Sequence, residues 1–94
     1  MRVLILGSGG REHVIAWKVA QSPLLSKLYI APGNGGTGSV ATNVTLDISN
    51  FEEIGNWVIA HSVNMIIVGP ENPLVDGIHD YFLNKEELQA IHVI

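Results

Sequence analysis

The sequence predicts an α/β domain, an open and doubly wound parallel sheet of about four strands in the order 2-1-3-4 with helices on both faces. Three observations carry this reading. Short apolar runs at residues 2–6, 27–31, 65–68 and 90–94 alternate with segments of helical period. The runs are continuous rather than alternating, as in parallel strands buried on both faces. A glycine cluster, Gly7-Ser8-Gly9-Gly10, stands where the first run turns into the first helical segment. The resulting order, β-α-β-α-β-α-β, is that of a parallel sheet built by right-handed crossovers.

Each element has its own signal. Val3 to Leu6, after Arg2, is the first strand. Residues 11–21 hold Val14, Ile15, Ala16, Trp17, Val19 and Ala20 with Lys18 and Gln21 as polar breaks, which predicts a helix with a wide apolar stripe. Ser22-Pro23 ends it, because the residue before proline is pushed out of the α region. Lys27 to Ala31 is the second strand, ending at Pro32. The segment from Pro32 to Ser39 is too rich in glycine for regular structure and reads as a long loop. Val44 to Ile48 alternates and predicts a brief extended piece. Ser49-Asn50-Phe51-Glu52-Glu53 has the spacing of a capping box, with Ser49 or Asn50 as N-cap. Phe51, Ile54, Trp57 and Val58 then form the buried stripe of a second helix ending near His61. After the third strand, Met65 to Val68, Asn72 is a candidate N-cap and Pro73 suits a first helical turn. Leu74, Ile78, Tyr81 and Phe82 are the stripe of the third helix, and Ala90 to Ile94 is the last strand.

Composition narrows the function. Ninety-four residues, 47% hydrophobic and 15% charged, make one compact domain rather than a disordered chain. There are no cysteines, which removes disulfides, thiolate zinc sites and thiol nucleophiles. A net charge of −4 argues against a nucleic-acid partner. No apolar run approaches the roughly 18 to 20 residues of a membrane span, and no signal segment opens the chain, so a cytoplasmic location and no membrane partner are expected. His61, His79 and His92 have no partners at metal-ligand spacing, so no metal site is expected. Arg2, Arg11, Lys18 and Lys27 are followed by no further Lys or Arg until Lys85, which puts the means of holding an anion near the opening loop.

In such sheets ligands bind beyond the carboxyl ends of the strands, where the winding reverses. That crevice would lie between the loop after strand one and the loop after strand three, so residues 7–13 would face residues 69–74. A glycine turn into a helix directs backbone N–H groups at an anion, usually phosphate. A dinucleotide fingerprint fails at its third glycine, where Glu12 stands, and at the end of strand two, where Ala31-Pro32 replaces the acidic ribose ligand. A P-loop reading of Gly33 to Gly38 fails because Ser39-Val40 stands where Lys-Ser/Thr is required. Arg11 opposes the dipole of the first helix, so it pairs either with Glu12 or with a bound anion. His13 either bonds a phosphate or sugar hydroxyl or packs under the loop. Glu71, held between Pro70 and Pro73, either accepts ribose hydroxyls or an amine or simply complements the third helix's dipole.

Taken together, Gly7-Ser8-Gly9-Gly10-Arg11-Glu12-His13, Ala16-Trp17-Lys18, Gln21-Ser22-Pro23, Ala31-Pro32-Gly33-Asn34-x-Gly36-Thr37 and Val68-Gly69-Pro70-Glu71-x-Pro73-Leu74-Val75-x-Gly77 resemble the amino-terminal domain of the glycinamide ribonucleotide synthetase (phosphoribosylamine–glycine ligase) family. The resemblance implies a Rossmann-like, pre-ATP-grasp domain over residues 1–94, and a purine-biosynthetic ligase that joins glycine to 5-phosphoribosylamine. The family's amino-terminal domain helps bind the phosphoribosyl substrate, while ATP and Mg2+ are held mainly by grasp domains of the same polypeptide. Carried onto this chain, the backbone of Gly9, Gly10 and Arg11 receives the 5-phosphate, with Glu12 and His13 beside it. Pro70, Glu71, Asn72 and Pro73 line the sugar and amine side, and Pro32, Gly33 and Asn34 border the pocket. The resemblance assigns no catalytic residue here and implies that these residues alone lack ligase activity. The alternative is a nucleotide- or phosphosugar-binding module without catalysis.

Overall fold

Four consecutive apolar side chains, Val3, Leu4, Ile5 and Leu6, are each at most 1% exposed, because β1 (Arg2–Gly7) runs through the middle of the sheet. The structure is a computed structural model and describes residues 1–7, 10–32, 41–68 and 75–93; at residues 10–13, 16, 32, 75 and 76 it describes the backbone alone. The remaining elements are α1 (Gly10–Ala20), β2 (Lys27–Pro32), β3 (Thr42–Asn43), α2 (Phe51–Ala60), β4 (Met65–Val68), α3 (Val75–Leu83), a 3-10 turn at Glu86–Leu88 and β5 (His92–Val93). Among the described residues all pairings are parallel, in the order β3-β2-β1-β4-β5.

Alternation along β1 divides the core. Val3 and Ile5 join Leu28 and Ile30 under α1, with Ile15 and Val19 of that helix packed against them. Leu4 and Leu6 join Tyr29, Ala31, Ile66 and Val68 under α2 and α3, whose Ile54, Val58, Ile78 and Phe82 fill the other face. Burying one such side chain fully stabilises the fold by about 1.5–3 kcal/mol. Helices on both faces, as expected, thus follow from strands that have no polar side to offer water.

Three expectations about the sheet need correction. The order 2-1-3-4 is present as β2-β1-β4-β5, but a fifth strand, β3, extends the edge. It was hidden because Thr42 and Asn43 are both exposed and give no apolar signal. The extended piece expected at Val44 to Ile48 is irregular instead, although the Val44 N–H still donates to the Ile30 carbonyl at 2.8 Å. The last strand starts later than residue 90, since among the described residues of that run His92–Val93 pair with β4 and Ala90 and Ile91 do not. The 3-10 turn at Glu86–Leu88 was also unforeseen; it seats Leu88, 2% exposed, on the core.

The start of α2 settles the capping question. Asn50 is the N-cap, its Oδ1 accepting the Glu53 N–H at 3.1 Å. The box does not close, because the Glu53 carboxylate accepts the Asp47 N–H, at 3.1 Å, rather than that of Asn50. Ser49, the other candidate, instead donates its hydroxyl and its N–H to Asp47 Oδ1. At the other end His61 caps the helix and Ser62 turns left-handed at φ 55°. The Val63 N–H then reaches the Val58 carbonyl at 2.9 Å and the Ser62 N–H the Ile59 carbonyl at 3.3 Å, with Val58 and Val63 both buried. These are the paired bonds and the apolar contact of a Schellman end.

Two stability outcomes follow from these contacts. The left-handed conformation costs a side chain that glycine lacks, so Ser62→Gly should raise stability by about 0.5–1 kcal/mol in urea denaturation. A Cβ on Gly77 would stand 3.0 Å from the Phe51 ring, where α2 and α3 come together. Gly77→Leu should therefore cost about 1–3 kcal/mol, and adding Phe51→Ala should return part of the loss if that ring is the obstacle.

Candidate functional site

Parallel register brings three strand ends to one place. Gly7 is the partner of Pro32, and Leu6 is flanked by Ala31 on one side and Val68 on the other. The chain therefore leaves the sheet at Gly7, Pro32 and Val68 on three adjoining strands, about 5 Å apart from one to the next. Gly7 has φ 140°, a conformation that side chains other than glycine's rarely adopt. It lets the chain turn from the central strand into α1, which begins at Gly10. The first-turn N–H groups of a helix have no carbonyl partner within it, so Gly10, Arg11 and Glu12 present backbone donors at this end of the sheet. At the end of β2, Ala31 is fully buried and Pro32 follows, so these two positions supply no carboxylate for a ribose.

Charge separates the two ends of the sheet. Arg2 begins β1, about 17 Å along the strand from Gly7. Its guanidinium donates to the His61 carbonyl at 3.0 Å. Lys27 begins β2 and lies 5.6 Å from the Tyr29 ring centre. Lys18 is in the last turn of α1, and Lys85 follows α3 and lies 5.5 Å from the Tyr81 ring. All four stand at the amino ends of the strands, away from the crevice. The chain has five Lys and Arg in total, and the fifth, Arg11, is in the first turn of α1. The cluster of early cations expected near the opening loop thus reduces to Arg11.

Of the other expected site residues, Gly9, Gly33, Asn34, Pro70, Glu71, Asn72 and Pro73 lie outside the described residues. Gly10, Arg11, Glu12 and His13 are in the backbone of α1 and Pro32 is in β2. Among the described residues no three His, Asp or Glu side chains come together as a metal site. No helix among them is long and apolar enough to cross a membrane.

An open groove of about 690 Å³ was not anticipated; it runs along α2 and is lined by Thr45, Leu46, Asn50, Glu52, Glu53, Asn56 and Trp57. Two of its polar side chains, Asn50 and Glu53, are engaged in starting the helix. Asn50 holds the Glu53 N–H, and Glu53 holds the Asp47 N–H. The hydroxyl and then the N–H of Ser49 keep the nearby Asp47 carboxyl below its usual range. Trp57 packs edge-on against Tyr29 at 4.8 Å and stacks on His61 at 4.0 Å. The groove is the outer side of a capped helix, and the strand ends offer the better anion site.

Comparison with known proteins gives a consistent result. A family model described as "Phosphoribosylglycinamide synthetase, N domain" matches residues 1–93. A phosphoribosylamine–glycine ligase of Pseudomonas aeruginosa is 51% identical over 87 residues, covering 90% of this chain and 20% of the relative. A bifunctional purine biosynthetic protein of Schizosaccharomyces pombe is 49% identical over 84 residues, covering 84% of this chain and 11% of the relative. The crystal structure of a phosphoribosylamine–glycine ligase from Thermotoga maritima superposes with a TM-score of 0.56 at 31% identity, over 79% of this chain and 17% of that one. The chain thus spans a fifth or less of the length of these relatives.

The turn out of β1 depends on the conformation of Gly7. Gly7→Ala should cost about 1–3 kcal/mol, read from the urea midpoint, because alanine is strained at that φ. A midpoint within error of the parent would show that the turn does not need glycine.

Proposed function

The chain belongs to the phosphoribosylglycinamide synthetase N-domain family, and from that membership we propose that it is the phosphoribosyl-binding domain of an ATP-dependent phosphoribosylamine–glycine ligase. The observation that carries the reading is the meeting of Gly7, Pro32 and Val68 at one end of the sheet, beside the first turn of α1, whose backbone N–H groups point out of that end of the helix. A phosphate monoester is a dianion near neutral pH, and a helix start with one arginine complements it.

In this reading the backbone of Gly9, Gly10 and Arg11 holds the 5-phosphate, with Glu12 and His13 in the same turn. Pro32, Gly33 and Asn34 border the pocket, and Pro70, Glu71, Asn72 and Pro73 line the sugar and amine side. ATP and Mg2+ belong to grasp domains of the longer polypeptide in the cytoplasm. There ATP phosphorylates the glycine carboxylate, and the amine of 5-phosphoribosylamine displaces phosphate to form the amide. This domain's part is to bind and orient the amine's carrier.

Ribose 5-phosphate tests the reading on the chain as it stands. In an amide-resolved NMR titration it should shift residues 8–13 and 70–74; shifts confined to the α2 groove would reject the assignment. Arg11→Ala should weaken binding by about ten- to a hundredfold, the worth of a charge-assisted hydrogen bond. Arg2→Ala should leave the affinity unchanged, since its guanidinium is bonded at the opposite end of the sheet.

A further inference from the structure

Two positive side chains stand next to each other at the amino end of the sheet. Arg2 and Lys27 are register partners where β1 and β2 begin, about 5 Å apart from strand to strand. Both point to the α2 side. The Arg2 guanidinium reaches the His61 carbonyl at the end of α2, and the Lys27 ammonium lies 5.6 Å from the ring of Tyr29, a residue of the core under α2. The contacts of these two exposed side chains thus go to a carbonyl and a ring, and neither goes to a carboxylate. Like charges directly opposite one another on neighbouring strands are destabilising. The sheet carries a lysine opposite this arginine, where a glutamate would pair with it.

Among the described residues the carboxylates are placed elsewhere. Asp47, Glu52 and Glu53 gather at the start of α2, the opposite end of the helix that Arg2 touches. Asp80 belongs to α3, and Glu86 and Glu87 to the turn before β5, with β4 between that strand and β1. The surface beside the two cations is aromatic and held in place. The half-buried Trp57 ring stacks on the half-buried His61 ring at 4.0 Å and meets Tyr29, the residue on which Lys27 lies, edge-on at 4.8 Å. His61 Nδ1 is fixed in turn, 2.9 Å from the Trp57 carbonyl. Tryptophan, tyrosine and arginine are the residue types that supply most of the binding energy at protein interfaces.

We propose that Arg2 and Lys27, with the Trp57–His61 stack beside them, form a docking surface for an acidic segment of another protein, whose carboxylates bridge the two cations. Charge complementarity selects the occupant. One N–H of the Arg2 guanidinium is spent on the His61 carbonyl, which leaves the others to fork a carboxylate, and the Lys27 ammonium takes a second oxygen or a second acid. Carboxylates would also relieve the repulsion between the paired strand positions. A nucleic acid fits less well, since its affinity comes from neutralising many phosphates and the chain as a whole carries −4. The surface lies about 17 Å along β1 from Gly7, so a partner seated there leaves the crevice open. The inference is therefore independent of the phosphate reading of the crevice.

A hexaglutamate peptide serves as the probe, titrated into the chain at low salt and followed by NMR of the backbone amides and the tryptophan indoles. It should shift Arg2, Lys27, His61 and the Trp57 indole, leave residues 8–13 unmoved, and bind more weakly as NaCl is added. Lys27→Glu should weaken the peptide by about tenfold or more, the worth of a charge-assisted hydrogen bond, while the urea midpoint stays or rises because the new carboxylate pairs with Arg2. Lys18→Glu and Lys85→Glu make the same change of charge at this end of the sheet and should leave the peptide's affinity nearly unchanged. Shifts confined to other surfaces overturn the proposal, as does equal weakening by Lys18→Glu, which would make the attraction one of net charge alone. A lowered midpoint in Lys27→Glu overturns it too, since Lys27 would then be kept for its packing on Tyr29. A hexathymidylate that binds this face more tightly than the peptide makes a nucleic acid the partner, and ribose 5-phosphate that displaces the peptide makes the surface a site for free phosphate; either result overturns the proposal.

Discussion

The burial of β1 on both faces is the constraint on which the rest of this structure depends. Val3, Leu4, Ile5 and Leu6 leave no polar side to the strand, so each face must be covered, and parallel neighbours must supply the backbone hydrogen bonds. Parallel pairing in turn requires a crossover between every two strands, which brings each helix start to the same end of the sheet. The crevice is therefore a by-product of the core. Once β2 and β4 are in register with β1, the strand ends at Gly7, Pro32 and Val68 have to adjoin one another. The glycine at the end of β1 permits the sharp exit that this arrangement demands.

The two ends of the sheet do different work, and side-chain bonding divides them. At the amino end the terminal ammonium donates to the Leu24 carbonyl at 3.0 Å and to the Ser26 hydroxyl at 3.2 Å. Asn64 accepts the Arg2 N–H through Oδ1 at 2.8 Å while its own N–H returns to the Arg2 carbonyl. The Asn64 carbonyl then accepts the His92 N–H, and Arg2 reaches the end of α2 at His61. A belt of polar contacts thus ties the starts of β2, β1, β4 and β5. The cations Arg2, Lys18, Lys27 and Lys85 sit at this end too. Of the chain's five Lys and Arg, Arg11 alone belongs to the first turn of α1, at the other end.

Most of this was legible in the sequence, because the fold is dictated by runs of apolar residues and by glycine and proline. Residues 2–6, 27–31 and 65–68 read as strands and are strands, with Val3 to Leu6 and Leu28 to Ala31 buried and β4 burying Ile66 and Val68. What escaped notice lacked such a signal. β3 pairs through two exposed polar residues, Thr42 and Asn43, whose contribution is backbone alone. Leu88 stands isolated in a polar run, and its burial depends on a 3-10 turn that periodicity does not detect. The capping spacing at 49–53 was visible, but Asp47, which captures Ser49 and receives Glu53, lies outside the motif and redirects it. The candidate site is a set of residue types in the sequence, glycines, prolines and one arginine, of which the described residues place Gly10 and Arg11 in α1 and Pro32 in β2. Which cations belong to it was not, since that depends on strand direction and not on sequence proximity.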